Sequence, residues 1–316
     1  MSEFELIQSY FKPLQCDSEA VDLGIGDDCA LLRCPTGYRV ASSVDTLVAG
    51  THFFPSMPAE QLGYKCLAVN LSDLAAMGAK PAWFTLALTM PEVDTDWLAA
   101  FVTGLSSLAN QYSLPLVGGD TTRGPLSITI QVQGLLPIND ALCRHGAQIE
   151  DGIYVSGTLG DAAAGLQLTQ QAITAPPRSL TVAEQYAISR FIRPSPRVGL
   201  GQALLPIANA AIDISDGLIA DLQHILTASG VGAELQQQAI PLSSRLQDAK
   251  QLYHDALYGG EDYELCYTVA KDKQQQLESL PFDSYRIGTI IADPILKLYD
   301  ERGRISVTGS GYDHFR

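Results

Sequence analysis

The sequence predicts an α+β protein built as two domains, and three features of its pattern support that class. Apolar segments with strand-like and helix-like spacing occur in both halves of the 316-residue chain, but they do not alternate as regular βαβ units. The segment LSITIQVQG alternates strictly between apolar and polar residues, which is typical of a strand with one covered face. The turn-rich segment LPINDALCRHGAQIEDG separates the two halves. We therefore expect domains at 1–137 and 138–316.

Each element of the first half follows from its local pattern. The apolar runs ALLRC and YRVASSVDTL flank a turn at Pro35–Gly37, which predicts a hairpin. Leu67, Leu71 and Leu74 recur at helical spacing, and Gly78 marks the end of that helix. A strand WFTLALTMP and a second helix DWLAAFVTGLSSLANQY follow. We expect the short strand LPLVGGD to end at its double glycine and LSITIQVQG to be the last strand of this half.

The second half begins with a strand and continues through several helices before a group of strands ends the chain. IYVSG predicts the first strand, and DAAAGLQLTQQAI and VAEQYAISRFI predict helices after it. Another helix follows the RPSPR break, then the strand AIDIS and the helix GLIADLQHILTAS. Strands are expected in AELQ, YELCYTVA, YRIGTII and ILKLYD.

Composition excludes several classes of partner and site. The formal net charge of −15 argues against a nucleic-acid groove or an anionic membrane surface, since both require basic patches. The chain has no apolar run long enough to span a bilayer, and its acidic N-terminus does not resemble a signal peptide, so we expect a cytoplasmic protein. The six cysteines form no CxxC pair, which favours buried free thiols over a disulfide framework or a zinc site.

The common nucleotide-binding motifs are absent or incomplete. GIGDDC carries two glycines of a dinucleotide fingerprint but has Cys29 where the third belongs. No GxxxxGK[ST] motif occurs, and neither HRD nor DFG is present. A nucleotide bound by this chain therefore requires another architecture.

Carboxylates recur where apolar elements end, often beside glycines that let backbone approach a ligand. These positions are Asp27, Asp28, Asp45, Asp73, Asp120, Asp213, Asp216, Glu261 and Asp262. Each also has a plain structural explanation: Asp216 as a helix N-cap, Asp120 in a β-turn, Asp73 as a half-exposed helix residue and Asp27 in a solvated turn. Solvated acids have no reason to prefer apolar strand ends, so the set as a whole favours a site.

Oxygen ligands without thiol or imidazole partners point to magnesium, which combines a few carboxylates with substrate phosphate oxygens. Several carboxylates suggest several ions, and therefore phosphoryl transfer from a polyphosphate. Arg123 and Arg144 are nearby cations that could meet phosphate, although an exposed linker charge explains Arg144 equally well. His52 is more readily explained as a structural histidine than as a substrate contact.

Seven motifs in order along the chain resemble those of the thiamine-monophosphate kinases. They are GIGDDCALL, SSVDTLVAGTHF, NLSDLAAMGAKPAW, VGGDTTRG, AIDISDGLIADL, GGEDYELCYTV and the closing GYDHF. This family belongs to the superfamily of aminoimidazole-ribonucleotide synthetase and selenophosphate synthetase. The resemblance implies ATP-dependent phosphorylation of thiamine monophosphate with several magnesium ions. It also implies a homodimer whose N-terminal sheets join in a shared barrel, with the C-terminal domain completing the active-site cleft.

The resemblance also assigns roles to individual residues. Magnesium-binding positions match Asp28, Ser43, Val44 (through its backbone carbonyl), Asp45, Asp73, Asp120, Asp213 and Asp216. Nucleotide-binding positions match Gly119, Asp120, Arg144, Ser215 and, across a dimer, Tyr112. Positions that touch thiamine phosphate match His52, Glu261 and Tyr312. Asp120 and Asp216 are the expected catalytic residues.

Two other interpretations remain open at this point. A different ATP-using synthetase on the same scaffold is the nearer one, although a selenophosphate synthetase would carry a reactive cysteine in a glycine-rich N-terminal segment, and Cys16 has no glycines around it. A non-catalytic sensor of thiamine diphosphate or a nucleotide is the other.

Overall fold

The computed structural model describes residues 3–16, 18–174, 176, 178–243 and 249–307. The chain divides into two compact units. Unit 1 comprises Met1–Leu74 and Ala79–Asp140, and unit 2 comprises Ala75–Gly78 and Ala141–Arg316. Both units contain helices and sheets, so the predicted α+β class is confirmed.

Unit 1 is built on a sheet that has four strands among the described residues. Its elements are α1 (Glu3–Leu6), β1 (Val21–Leu23), β2 (Leu31–Leu32), β3 (Tyr38–Val48), α2 (Ala59–Ala76), β4 (Lys80–Met90), α3 (Thr95–Gln111), β5 (Leu116–Arg123) and β6 (Ser127–Pro137). The strand order is β3-β6-β4-β5, in which β6 runs antiparallel to both neighbours and β4 pairs in parallel with β5.

The alternation predicted for β6 sets which face of this sheet is covered. Ile128, Ile130 and Val132 are fully buried, whereas Gln131 between them is exposed. The register pairs Ser43 with Val132 and Asp45 with Ile130, so these two polar residues of β3 lie on the covered face. Strand geometry therefore places both candidate ligands toward the interior of unit 1.

Helices α2 and α3 cross closely because each carries a glycine at the contact. A Cβ atom on Gly63 would lie 2.0 Å from the carbonyl oxygen of Phe101, and one on Gly104 would lie 1.7 Å from that of Glu60. Any side chain at these positions would force the helices apart. The close crossing fixes α2, which carries the candidate ligand Asp73.

The predicted hairpin around Pro35–Gly37 is wrong. β2 pairs with β1 rather than with β3, and β3 pairs along its whole length with β6. The turn signal was correct, since Tyr38 N donates to Pro35 O. Local turn chemistry does not select the partner strand, and β6 supplies a longer matching apolar face.

Unit 2 has a sheet that contains seven strands among the described residues. Its elements are β7 (Gly152–Val155), α4 (Asp161–Thr174), α5 (Val182–Ile192), α6 (Val198–Leu204), β8 (Ala208–Asp213), α7 (Leu218–Ser229), β9 (Gly232–Gln236), α8 (Ala249–Tyr258), β10 (Leu265–Val269), α9 (Gln274–Glu278), β11 (Tyr285–Ile291), β12 (Leu296–Asp300) and β13 (Gly303–Ile305). The strand order is β13-β12-β9-β11-β7-β10-β8. Helices α1, α8 and α9 and the short strands β1 and β13 were not predicted.

The core of unit 2 joins three adjacent strands to α7. Ile153, Ile212 and Cys266 of β7, β8 and β10 pack in one cluster with Leu222 and Ile225 of the helix. β8 is the edge strand beside β10, and its last residue, Asp213, leads into the turn before α7. The six cysteines are free thiols, as predicted, but their expected burial is wrong for Cys16, Cys29 and Cys34, which are exposed. Within the described ranges, no helix has the length and hydropathy needed to cross a membrane.

Candidate functional site

A cavity of about 460 Å³ in unit 1 brings two of the predicted motifs together. The GIGDD segment contributes Asp27 and Asp28, and β5 contributes Gly119 and Asp120. Apolar side chains complete its wall; these are Ile7, Phe11, Ile25, Leu86, Leu116 and Val117. The three aspartates are exposed, so their charges remain hydrated. The cavity offers carboxylates beside an apolar surface.

Gly119 lets strand β5 approach its neighbour at this cavity. A Cβ atom at this position would lie 1.9 Å from the carbonyl oxygen of Leu86. The predicted end of the strand at this double glycine is wrong, because β5 continues through Arg123 and pairs Asp120 with Ala87. Asp120 is therefore a strand residue rather than a β-turn residue.

Asp27 and Asp28 lie in a short irregular segment between β1 and β2. Asp28 N donates to Asp27 Oδ1 over 2.8 Å, so the Asp27 side chain supports the backbone that carries Asp28. This bond uses one oxygen of Asp27 within its own turn. The Asp28 side chain lies on the cavity wall beside it.

A second group of oxygen atoms lies between β3 and α2. Ser43 Oγ donates to Asp73 Oδ2 over 2.5 Å, and Asp45 N donates to Asn70 Oδ1 over 3.2 Å. Burial, and then the nearby Asp73 carboxylate, raise the pKa of Asp45 to about 6. Asp73 therefore faces the sheet and is more than a half-exposed helix residue. Val44 points to the opposite face and is 56% exposed.

His52 and Tyr112 occupy local positions defined by their own turns. His52 Nδ1 accepts a 3.0 Å hydrogen bond from Val48 N, which leaves the proton of the neutral ring on Nε2. This contact explains the residue structurally and also fixes its ring. Tyr112 is the C-cap of α3, and its backbone N–H donates to Ala109 O over 3.2 Å.

In unit 2 the chain makes a tight turn between β8 and α7. Asp213 is buried at the end of β8, and Ser215 and Asp216 are half-buried in the turn. Asp221 Oδ2 accepts hydrogen bonds from Asp216 N at 3.0 Å and Gly217 N at 3.1 Å. Burial raises the pKa of Asp221 to about 7, opposed by these N–H groups and assisted by the Asp216 charge.

The structure contradicts the explanation of Asp216 as a helix N-cap. The N-cap of α7 is Gly217, which has no side chain, and the carboxylate that bonds the N–H group of this N-cap belongs to Asp221. The Asp216 side chain is therefore not the cap of α7.

The GGEDYEL motif packs against the same turn. Glu261 N donates to Ser215 O and Tyr263 N donates to Ile214 O, both over 2.8 Å. Gly260 is required at this contact, because a Cβ atom there would lie 2.2 Å from Ser215 O. Glu261 has a φ of 75°, a conformation that is uncommon for a side chain other than glycine. The contacts hold Glu261 next to the turn that carries Asp216.

The other two acids of this motif have structural partners. Asp262 is buried and accepts from Gly160 N at 2.8 Å and Ala162 N at 3.3 Å, at the start of α4. Glu264 is also buried and accepts from two guanidinium groups, that of Arg190 at 2.7 Å and that of Arg197 at 2.6 Å. Glu261 is the acid of this motif that remains a candidate for substrate contact.

Two predicted site residues, Arg144 and Tyr312, are not among these clusters. Arg144 is exposed in the segment between β6 and β7, where its backbone carbonyl oxygen accepts from Ser229 Oγ at 3.4 Å. Tyr312 lies outside the described residues.

Comparison with known proteins identifies the family. Residues 26–136 match the family described as AIR synthase related protein, N-terminal domain, and residues 148–301 match its C-terminal domain. The chain is 50% identical to the thiamine-monophosphate kinase of Salmonella typhimurium, over 99% of this chain and 98% of the relative. It is 36% identical to the thiamine-monophosphate kinase of Bacillus subtilis over the full length of both. The chain belongs to the thiamine-monophosphate kinase family.

Solved structures support the same family. The thiamine-monophosphate kinase from Stenotrophomonas maltophilia has a TM-score of 0.86 and 44% identity, covering 94% of this chain and 96% of that one. A structure described as AaThiL complexed with AMPPCP and TMP has a TM-score of 0.81 and 31% identity, covering 99% and 97%. The hydrogenase maturation protein HypE in complex with ATP shares the fold at a TM-score of 0.78, with 18% identity. The resemblance to the thiamine-monophosphate kinases is therefore confirmed.

The donor set of this family member fits magnesium better than a softer metal. No three histidine, cysteine, aspartate or glutamate side chains converge on one point within the described ranges. The candidate donors are instead small sets of oxygens, such as Ser43, Asp45 and Asp73, in which one carboxylate raises the pKa of another. Magnesium is held in this way, by one or two carboxylates together with waters and phosphate oxygens.

Sequence reasoning missed Asp221, Arg190 and Arg197. The sequence signal for Asp221 was present, because an acid in the first turn of a helix that follows SDG is well placed to reach back to that turn. The two arginines gave no such signal, since each lies more than 65 residues from Glu264 along the chain.

Proposed function

We propose that this chain phosphorylates thiamine monophosphate to thiamine diphosphate, with ATP as the phosphoryl donor. The observation that carries the proposal is the cavity at which Asp27 and Asp28 meet Gly119 and Asp120 of β5. Exposed carboxylates beside a glycine-containing strand suit a metal-bound polyphosphate, and one of them, Asp27, also accepts a hydrogen bond from Asp28 N in its own turn. A chain half identical to a thiamine-monophosphate kinase over its whole length supports the substrate assignment.

We assign metal binding to oxygen donors of both units. Bound magnesium would neutralise phosphate charge and connect phosphate oxygens to the carboxylates. Its proposed ligands are Asp28, Ser43, the Val44 carbonyl oxygen, Asp45, Asp73, Asp120, Asp213 and Asp216. Val44 takes part only through its backbone, because its side chain lies on the other face of β3.

Substrate contacts are assigned to the remaining candidates. Gly119, Asp120, Ser215, Arg144 and Tyr112 would contact the nucleotide, and His52, Glu261 and Tyr312 would contact thiamine phosphate. His52 is suited to this role because Val48 fixes its ring and leaves Nε2 as the donor. Ser215 and Glu261 are joined through their backbones, which keeps a nucleotide contact and a substrate contact in register.

The proposed chemistry is one direct displacement. An oxygen of the substrate monophosphate attacks the γ-phosphorus of ATP and forms a new P–O bond. The bond from γ-phosphorus to the bridging oxygen breaks at the same time, and ADP leaves with that electron pair. The attacking oxygen is already anionic, so no general base is required. The protein's contribution is alignment and the placement of charge.

We place the N-terminal ATP- and metal-binding domain at 1–137 and the C-terminal domain at 138–316.

We also propose a homodimer in which the β3 sheets of two chains join. The face of β3 opposite Ser43 and Asp45 exposes Tyr38, Val40 and Val44, which are 45–56% accessible. A strand face that exposes three large apolar side chains among small polar ones, such as Ser42, favours association with a second copy. Sedimentation equilibrium tests this, with Val44→Lys expected to give a monomer.

The first experiment follows both products of the reaction. Purified protein is incubated with ATP, magnesium and thiamine monophosphate, and ADP and thiamine diphosphate are measured together. The proposal predicts equal amounts of both, with neither formed without magnesium or when unphosphorylated thiamine replaces the substrate. ADP without thiamine diphosphate would assign the chain to another ATP-using enzyme on this scaffold. Absence of ADP would instead favour a non-catalytic nucleotide or thiamine diphosphate sensor.

A further inference from the structure

Asp221 is a buried acid that contacts the candidate site without belonging to any predicted role. Its side chain is 3% exposed, in the first turn of α7. One oxygen, Oδ2, accepts from two consecutive backbone N–H groups, those of Asp216 and Gly217, at 3.0 and 3.1 Å. One carboxyl oxygen that accepts from two consecutive N–H groups fixes their relative orientation, so these contacts define the backbone at Asp216.

The turn that Asp221 holds lies at the N-cap of α7. Gly217 has a φ of 116°, which side chains rarely adopt, and it caps α7 without a side-chain hydrogen bond. A Cβ atom there would lie 2.9 Å from the backbone of Tyr258. Asp221 therefore bonds the N–H groups of Asp216 and Gly217 by reaching back to the N-cap, as the acidic residue of a capping box does.

The carbonyl side of the same turn is held by a different segment. Ser215 O accepts from Glu261 N at 2.8 Å. Loss of the Glu261 contact would move Ser215, whereas loss of the Asp221 contact would free the N–H groups at Asp216 and Gly217. Asp221 therefore acts on N–H groups of the turn, including a backbone hydrogen bond with Ser215, whereas Glu261 acts on the Ser215 carbonyl oxygen, so exchange at the Asp216 and Gly217 amides measures the contribution of Asp221.

We propose that Asp221 is a positioning residue, which fixes the backbone of the Ser215–Gly217 turn so that the Asp216 side chain is presented to magnesium and the nucleotide. The inference rests on the proposed function, because that function gives Asp216 its role. Residues that orient metal ligands through hydrogen bonds commonly change metal affinity or activity by about 10–100-fold when they are replaced.

The test uses two variants of Asp221 and, as controls, the same two substitutions at another buried aspartate. Asp221→Ala removes the acceptor, and Asp221→Asn keeps one oxygen that can still accept from both N–H groups. Asp151 is the control, because it is 2% exposed and accepts from Gln148 N at 2.9 Å and from Asn209 Nδ2. It precedes β7 at the end of the sheet opposite Asp213. Asp151→Ala and Asp151→Asn therefore perturb a similar buried acid away from the turn.

Three quantities are measured for each protein. Amide hydrogen exchange at Asp216 and Gly217 reports the turn itself. The electron paramagnetic resonance signal of free Mn²⁺, which decreases when the ion binds, reports metal binding in the presence of a non-hydrolysable ATP analogue. The magnesium concentration for half-maximal thiamine diphosphate formation, together with separate kcat and KM values, reports function.

We expect Asp221→Ala to accelerate exchange at the two amides at least tenfold and to weaken Mn²⁺ binding about 10–100-fold. We expect kcat to fall while KM for thiamine monophosphate changes less than threefold. Asp221→Asn should show the same changes to a smaller extent, and it carries the test alone if the alanine variant does not fold. The Asp151 variants should lower the melting temperature without changing Mn²⁺ binding.

Wild-type Mn²⁺ binding in both Asp221 variants would overturn the inference, as would equal losses in the Asp151 variants, since the role would then be structural. Failure of the wild-type protein to make thiamine diphosphate would overturn the proposed function instead. The exchange and Mn²⁺ measurements would still decide whether Asp221 positions a metal-binding turn.

Discussion

The cavity of unit 1 and the β8–α7 turn of unit 2 use the same residue type in opposite ways. Asp27, Asp28 and Asp120 are exposed on the cavity wall. Asp221 and Glu264 are buried, and each accepts several hydrogen bonds from its own unit. An acid that the fold already satisfies has little capacity left for a ligand, whereas an exposed one keeps its oxygens available.

The acids of one motif can therefore have different roles, which must be assigned residue by residue. In GGEDYEL, Asp262 serves backbone amides at the start of α4, and Glu264 binds two arginines, while Glu261 lies next to Ser215. One motif therefore combines a candidate substrate contact with the two acids that keep it in place. Substitutions should separate these roles by whether stability or turnover changes.

Replacement of Glu264 by Ala should produce the largest effect on stability. The variant leaves Arg190 and Arg197 without their shared carboxylate in a mostly buried site, which typically costs about 3–5 kcal/mol. Urea unfolding, followed by hydrogen exchange of β10, measures the loss. Glu301→Ala, in the exposed turn before β13, is the control and should change stability little. A similar small change at Glu264 would show that the ion cluster is not part of the support for this motif.

Replacement of Asp120 by Asn should produce the reverse pattern. The variant keeps the shape of an exposed strand residue but removes one charge, so we expect kcat to fall by about 100-fold or more with little change in stability. Steady-state kinetics at saturating magnesium and thermal unfolding measure the two effects. Asp140→Asn, exposed in unit 1 and outside the cavity, provides the control. An Asp120 variant that unfolds, with full activity in its folded fraction, would make Asp120 structural.

Much of the fold could be read from the sequence because its signals are local. The helix at Ala59–Ala76 and the alternating strand β6 follow from periodicity that neighbouring residues carry. The partner of β3 could not be read in this way, because strand pairing depends on a match about 90 residues away. The missed helix α8 does carry a local signal, because Leu252, Ala256 and Leu257 are buried at helical spacing, and it packs on α7 and α4.

The candidate site shows the same difference between residues with a local sequence signal and residues without one. Glycines and acids marked the cavity correctly, since Gly119 and the GIGDD turn both line it. Residues that act on other residues gave weaker signals, because Asp221 and Arg197 are defined by the atoms they bind. Sequence therefore located the candidate ligands more readily than the residues that hold them.

Asp262 gives a smaller effect that depends on pH. Burial, reinforced by the Glu264 charge, raises its pKa from 3.8 to about 7, despite hydrogen bonds from Gly160 and Ala162 and the charge of Arg190. The folded state therefore binds this proton more tightly than the unfolded state, so the group's stabilising contribution is complete below about pH 4 and is lost as pH rises toward 7. Relative to Asp262→Asn, the wild type should lose on the order of 2 kcal/mol between pH 5 and 8. Parallel stability curves for the two proteins would contradict the raised pKa.

The smallest expected effect concerns the rate of the chemical step, which should not depend on the ionisation of any protein group. In the exposed cavity the attacking group is the substrate's own phosphate, which is fully ionised above its second pKa, about 6 by analogy with phosphorylated side chains. At saturating magnesium we expect kcat to be flat from there to about pH 9, because the proposed ligands would be ionised when metal is bound. Single-turnover rates across this range, corrected for substrate ionisation, test the point. A remaining slope near neutrality would identify a general base and would contradict attack by the substrate's own anionic oxygen.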